Sequence, residues 1–224
     1  MYRFSEVTSQ LAGGGAVIVI AEGRATGDLV LAADRVSAAG INLQVTHARG
    51  LTELALSPAR IAQLRLPPMI SDWEAPRKAF AISIEARHGV STGISAPDRA
   101  ATIRAAVAEG ATDADLVSPG HVFPLRARTG ALSDLLGEPD VRAEAAVALA
   151  TLAGCGEGAV LSAILDDEGE VASGAALWAL AGRIGCPCVS VAEIAAAQLQ
   201  AKAARLRWEP EVRAGAVAPV RIAS

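Results

Sequence analysis

The sequence predicts an α+β fold of the layered α/β kind, a single domain with a mixed sheet flanked by helices. Short apolar runs with strand character alternate with helix-period segments along the chain. Glycine, proline and N-cap residues mark the joints between them. With 224 residues, 52% hydrophobic and 20% charged, the chain is long and apolar enough to bury one sizeable core. Aromatics are only 3%, so small and branched aliphatic side chains build that core.

Ser5 to Ala12 reads as a short helix ended by Gly13-Gly14-Gly15. No Gly-Lys-Ser/Thr follows this glycine run, so it is a turn and not a phosphate loop. Ala16 to Ile20 is a continuous apolar run and reads as a buried strand. Ala21 to Gly27 is a loop, and Asp28 to Ala32 a second strand. Ser37 to Arg49 reads as a helix closed by Gly50. Leu51 to Leu56 is a strand, and Ser57-Pro58 starts a short helix by cap and N1 proline, stopped at Pro67-Pro68. Ser71 to Lys78 is polar and irregular. Ala79 to Ala86 alternates and reads as a strand. Ser95 is the N-cap of the next helix, with Pro97 and Asp98 in its first turn, where both are favoured.

His121 to Arg128 reads as an edge or bulged strand, because Pro124 lies within it. Thr129 to Pro139 is loop-like, and Asp140 to Ala153 is an alanine-rich helix. Ala159 to Leu165 is a strand before an acidic turn at Asp166. Ala175 to Arg183 is a helix ended by Gly185, and Cys188 to Val191 a short strand. Ser190 and Glu193 form a capping box for a last helix reaching about Leu206. Residues 1–200 are the expected domain. Residues 201–224 are the expected tail, loosely attached or disordered.

Net charge is −4 with both signs interspersed, which argues against nucleic acid and acidic membrane surfaces as partners. No signal segment or membrane-spanning apolar run is visible, so a cytoplasmic protein is expected. Three cysteines, an odd number, point to reduced thiols. Cys186-Pro187-Cys188 lacks a second pair of zinc ligands and reads as buried structural thiols.

The stretch from Ala86 to Arg104 carries most of the chemistry. Between strand and helix lie His88, Ser91, Thr92 and Ser95, with glycines at 89 and 93. Small hydroxyl residues at a helix N-terminus suit an anion or a sugar, or else form a satisfied turn. This stretch and a second block, Ser118 to Arg128, resemble the signatures of the 3,4-dihydroxy-2-butanone 4-phosphate synthase family of riboflavin biosynthesis. The resemblance implies a lyase that expels formate from ribulose 5-phosphate. It also implies a divalent metal, a phosphate anchor, and a homodimer with active sites at or near the subunit interface.

Carried over residue by residue, the resemblance is uneven. The family's acidic loop matches Ala21 to Asp28, where Arg24 and Asp28 are retained but Ala25 replaces a metal-binding Glu. Glu53 stands at a reactive cysteine position. Thr92 and His121 match substrate-site residues. In the family's Arg-x-Gly-His-Thr block, Pro139 replaces the Arg, Arg142 the metal-binding His, and Ala143 the Thr. Ser162 is placed at a catalytic Glu. The expected catalytic residues are therefore Asp28, His121 and Thr92. The expected substrate-binding residues are Arg24, Glu53, Arg142, Ser162 and Ser95. No metal site and no cofactor are expected. Arg142 itself carries a positive charge it cannot lose. It either takes the metal's place beside Asp28 or Glu53, grips an anionic ligand, or turns to solvent.

The reading that results is a metal-independent, repurposed lyase- or isomerase-type enzyme acting on a small anionic or sugar-like substrate. The alternatives are a non-catalytic ligand-binding or partner-subunit protein, and a working synthase.

Overall fold

The computed structural model describes residues 2–70, 79–138 and 140–215, with side chains as far as residue 206. The expected irregular segment 71–78, the aligned Pro139 and residues 216–224 lie outside the described residues. The chain runs α1 (Phe4–Ala12), β1 (Val17–Ala21), β2 (Thr26–Ala32), α2 (Ala38–His47), β3 (Glu53–Leu56), α3 (Pro58–Gln63) and β4 (Ile84–Ala86). It continues with α4 (Ala96–Val107), β5 (Leu116–Arg126), α5 (Arg142–Leu152), β6 (Gly158–Ala163), α6 (Ala175–Ile184), β7 (Cys188–Ser190) and α7 (Val191–Gly215).

The helix starts follow the expected chemistry. Ser37, Ser57 and Ser95 each accept a hydrogen bond from a first-turn N–H, and prolines follow Ser57 and Ser95. α6 ends on Gly185 in the left-handed conformation.

The seven strands form one mixed sheet in the order β4-β5-β3-β6-β2-β1-β7. β3 pairs parallel to β5 and antiparallel to β6, and β6 pairs antiparallel to β2. Side chains alternate across this sheet and feed two cores. On one face Leu29, Leu31, Leu54, Leu56 and Val160 pack with Ile41 of α2, Ile103 of α4 and Leu177 of α6. On the other, Val19, Val30, Ala55 and Leu161 pack with Leu11 of α1, Leu149 of α5 and Ile194 of α7. Each fully buried leucine stabilises the fold by about 2 kcal/mol relative to exposure. Ala145, Ala146 and Ala150 of α5 are buried. Their small side chains let α5 lie close to the sheet, which brings its first residue, Arg142, down onto the strands.

Three expectations are corrected. β5 is bulged but not an edge strand: it lies between β4 and β3, its pairing with β4 jumps from Val122 to Val117, and it begins at Leu116, earlier than expected. Pro124 is tolerated because the pairing beyond β4 thins to an isolated bridge, Phe80 to Leu125. The run from Ala79 to Ala86 forms a ladder only over Ile84–Ala86, with a register shift between Ile84 and Glu85. α7 continues past Leu206 to Gly215.

Candidate functional site

The strand registers place two carboxylates on one face of the sheet. Asp28 of β2 lies on the side of Val30, and Glu53 of β3 on the side of Ala55, both facing α5. They are 5% and 6% exposed. Arg142, at the start of α5, reaches both. Its Nη1 donates to Asp28 Oδ1 at 2.8 Å, and its Nη2 lies 3.1 Å from Glu53 Oε2. Its Nε lies 3.5 Å from Asp140, whose Oδ1 also accepts from the Arg142 N–H. Of the three arrangements open to Arg142, the structure shows the one beside the carboxylates, and it joins both of them.

This placement runs against local preference, since a cation at a helix N-terminus opposes the helix dipole. The carboxylates offset that cost, and local rules are commonly broken in this way at functional sites. Burial raises the carboxyl pKa of Asp28, with Arg142 pulling the other way. Burial likewise pushes Glu53 up to about 7, against the pull of Arg142 and with the help of Asp28. Burial alone would lower the pKa of Arg142, but Asp28, Glu53 and Asp140 more than offset this and hold its proton firmly. Glu53 Oε2 is buried and has Arg142 Nη2 as its partner. It is ion-paired yet keeps unused hydrogen-bonding capacity.

The other expected residues do not join this group. Ser162 lies on the other face of the sheet from Asp28. It pairs across from Leu29, with Val160 on its own face, so it points towards α2 and away from Asp28. A Cβ on Gly50 would lie 3.1 Å from its Oγ. The residue opposite Asp28 is Ala163, one position on, and in a strand one position reverses the face. Ser95 is engaged as the cap of α4, accepting from the Asp98 N–H at 3.2 Å. Ser91 Oγ and the Gly93 N–H both donate to the Asp98 carboxylate, and these bonds, the Ser91 hydroxyl first, hold its pKa low. Thr92 is exposed in the same loop. His121 lies two residues before Phe123, the partner of Glu53. It sits in the bulged part of β5 beyond the start of β3, its Nδ1 3.0 Å from Glu85 Oε2. Arg24 is exposed at the tip of the β1–β2 hairpin, and among the described residues no ion pair engages it.

Asp140 and Glu85 are additions that the sequence does not point to. Asp140 has one sequence signal, an acid two residues ahead of a helix-starting arginine. Glu85 has none beyond its place at a strand end.

The residues present do not fit a divalent metal. The two buried carboxylates are both committed to Arg142. Ala25 offers no side-chain oxygen. Among the described residues no group of three or more His, Cys, Asp or Glu is placed to hold a metal ion. A hard cation needs six or more oxygens and tolerates no guanidinium among them.

Comparison with known proteins agrees with this fold. The sequence model of 3,4-dihydroxy-2-butanone 4-phosphate synthase matches residues 5–197. The chain is 39% identical over 186 residues to the Pasteurella multocida 3,4-dihydroxy-2-butanone 4-phosphate synthase, covering 82% of this chain and 85% of that one. It is 41% identical over 178 residues to the Bordetella pertussis synthase, covering 79% and 75%. A solved two-domain synthase from A. baumannii superposes with a TM-score of 0.79 at 37% identity, covering 86% of this chain and 56% of that one. A synthase solved in complex with two magnesium ions superposes with a TM-score of 0.79 at 32% identity, covering 87% and 95%. Fold, sequence and the two signature blocks together make this chain a member of the 3,4-dihydroxy-2-butanone 4-phosphate synthase family.

Proposed function

We propose that this member is a metal-independent enzyme that moves a proton on a small anionic or sugar-like hydroxycarbonyl compound, with Glu53 as the acid–base group. One observation carries the reading. A buried carboxyl, Glu53, lies with its Oε2 3.1 Å from a fixed guanidinium. General acid–base work needs a group that exchanges protons near neutral pH, and Glu53 is held at about 7. A guanidinium has five N–H donors. Some of those on Arg142 are left over for an oxygen that becomes negative.

In the proposed step ionised Glu53 takes the proton from the carbon beside the carbonyl. The C–H electron pair moves into the new C=C bond, and the carbonyl oxygen becomes an oxyanion facing Arg142. The α-hydroxyl proton then passes to that oxyanion while the C=C electron pair takes the proton back from Glu53 at the former carbonyl carbon, which leaves the carbonyl on the neighbouring carbon and completes an isomerisation. Asp28 positions Arg142. Thr92 and His121 do not meet this group within one chain, and we place them at the same site through a homodimer, contributed by a second copy. The proposed location is the cytoplasm, supported by three buried free cysteines. No described helix is long and apolar enough to cross a membrane.

The test is deuterium incorporation from D2O into small ketoses and ketose phosphates, followed by NMR with EDTA present. Exchange that survives EDTA and disappears in Glu53→Gln is expected. No exchange with any compound would sink the enzymatic reading. A non-catalytic reading has one observation in its favour: carboxylates engage Nη1, Nη2 and Nε of Arg142 alike. It predicts ligand-induced thermal shifts without exchange.

A further inference from the structure

We infer that Arg142 is a resident cation. Asp28 and Glu53 hold its guanidinium between them, and truncating Arg142 leaves the same carboxylates free to take a divalent cation. Both carboxylates are almost fully buried and approach two nitrogens of one planar fork, at 2.8 and 3.1 Å. A charge-assisted pair of this geometry is strong, and guanidinium is the cation that best satisfies two carboxylates at once.

The guanidinium is also covalently tethered. Dilution does not remove it, and a free ion would have to displace it and then tolerate a positive charge beside it. Asp140 closes the third side through Nε at 3.5 Å. Without the guanidinium, two buried carboxylates on either side of β6 are left with no bridging counter-charge, an arrangement that either takes up protons or binds a cation. Carboxylate oxygens suit a hard divalent ion. The family's metal chemistry is therefore displaced in this chain by its own side chain.

The experiment reads ion binding and stability rather than turnover, so its failure is separable from failure of the proposed enzymatic activity. Wild type, Arg142→Ala and Arg142→Ala/Glu53→Gln are titrated with magnesium and manganese by calorimetry, and their Tm is followed with and without each ion. Wild type should show no saturable binding at millimolar ion and no change of Tm with EDTA. Arg142→Ala should bind at least tenfold more tightly than wild type and gain Tm with either ion, and the double variant should lose both effects. Methylguanidinium at millimolar concentration should also raise the Tm of Arg142→Ala and leave wild type unmoved. Should Arg142→Ala fail to fold, Arg142→Gln, which keeps most of the side-chain packing, takes its place.

Two results would overturn the inference. One is saturable, Asp28-dependent magnesium or manganese binding by wild type. The other is a folded Arg142 variant whose stability neither divalent ions nor methylguanidinium change.

Discussion

Replacing Glu53 with Gln should stabilise the protein at alkaline pH and leave it nearly unchanged at acid pH. Glu53 is 6% exposed, and burial moves its carboxyl from an ordinary 4.5 to about 7. Between these values the folded chain holds a proton that the unfolded chain has lost. Stability therefore falls as pH rises through that window. At about 1.4 kcal/mol per pH unit, the whole window corresponds to about 3 kcal/mol. A glutamine in its place stays neutral, keeps most of the packing, and escapes this loss. The difference in unfolding free energy, Glu53→Gln minus wild type, should be near zero at pH 4.5 and rise to about 3 kcal/mol by pH 8. In a domain of this size that is a Tm difference of about 6–12 °C. Urea denaturation of both proteins at several pH values measures it. Taking the difference cancels other carboxyls, such as Asp98 and Asp115, whose pKa values are lowered and which act in the opposite direction. A difference that is flat with pH, or a variant less stable than wild type at pH 8, would refute the reasoning. A stabilised but inactive Glu53→Gln would show stability given up for function.

Formate should not be released from ribulose 5-phosphate at a rate typical of enzymes, because Arg142 occupies both buried carboxylates, Asp28 and Glu53; a formate assay on protein free of host synthase checks this. Light scattering should give twice the 22.7 kDa of one chain, and a single-chain mass across a wide concentration range would rule out the shared site. Gly120→Ala should destabilise the fold by about 2 kcal/mol or more, because a Cβ there would overlap the Ile84 carbonyl; unchanged urea denaturation would contradict it.

Much of this molecule is legible in the sequence because its local signals agree with its fold. Ser57-Pro58 and Ser95-Ala96-Pro97 announce α3 and α4 by chemistry that needs no tertiary context. What stays hidden is non-local. Nothing local to Pro124 tells that the partner strand thins out beside it, so an interior strand reads as an edge. Ser162 reads as a site residue although Ala163 is the one opposite Asp28, and in a strand one residue reverses the face. The juxtaposition of Asp28, Glu53 and Arg142 spans β2, β3 and α5. No periodicity in the sequence predicts that three such distant residues meet, and only the resemblance to a family points there. Asp140 escapes notice because its role depends on the turn it makes with Arg142.

In this protein a guanidinium stands between two buried carboxylates, Asp28 and Glu53, and the inferred role of that guanidinium is to exclude a metal ion. The most direct test of that is a crystal structure of the protein grown in millimolar manganese, with anomalous scattering recorded at the manganese edge. No anomalous peak should appear between Asp28 and Glu53, and Arg142 should lie within hydrogen-bonding distance of both. A manganese ion bound by those carboxylates, with Arg142 swung out to solvent, would contradict it.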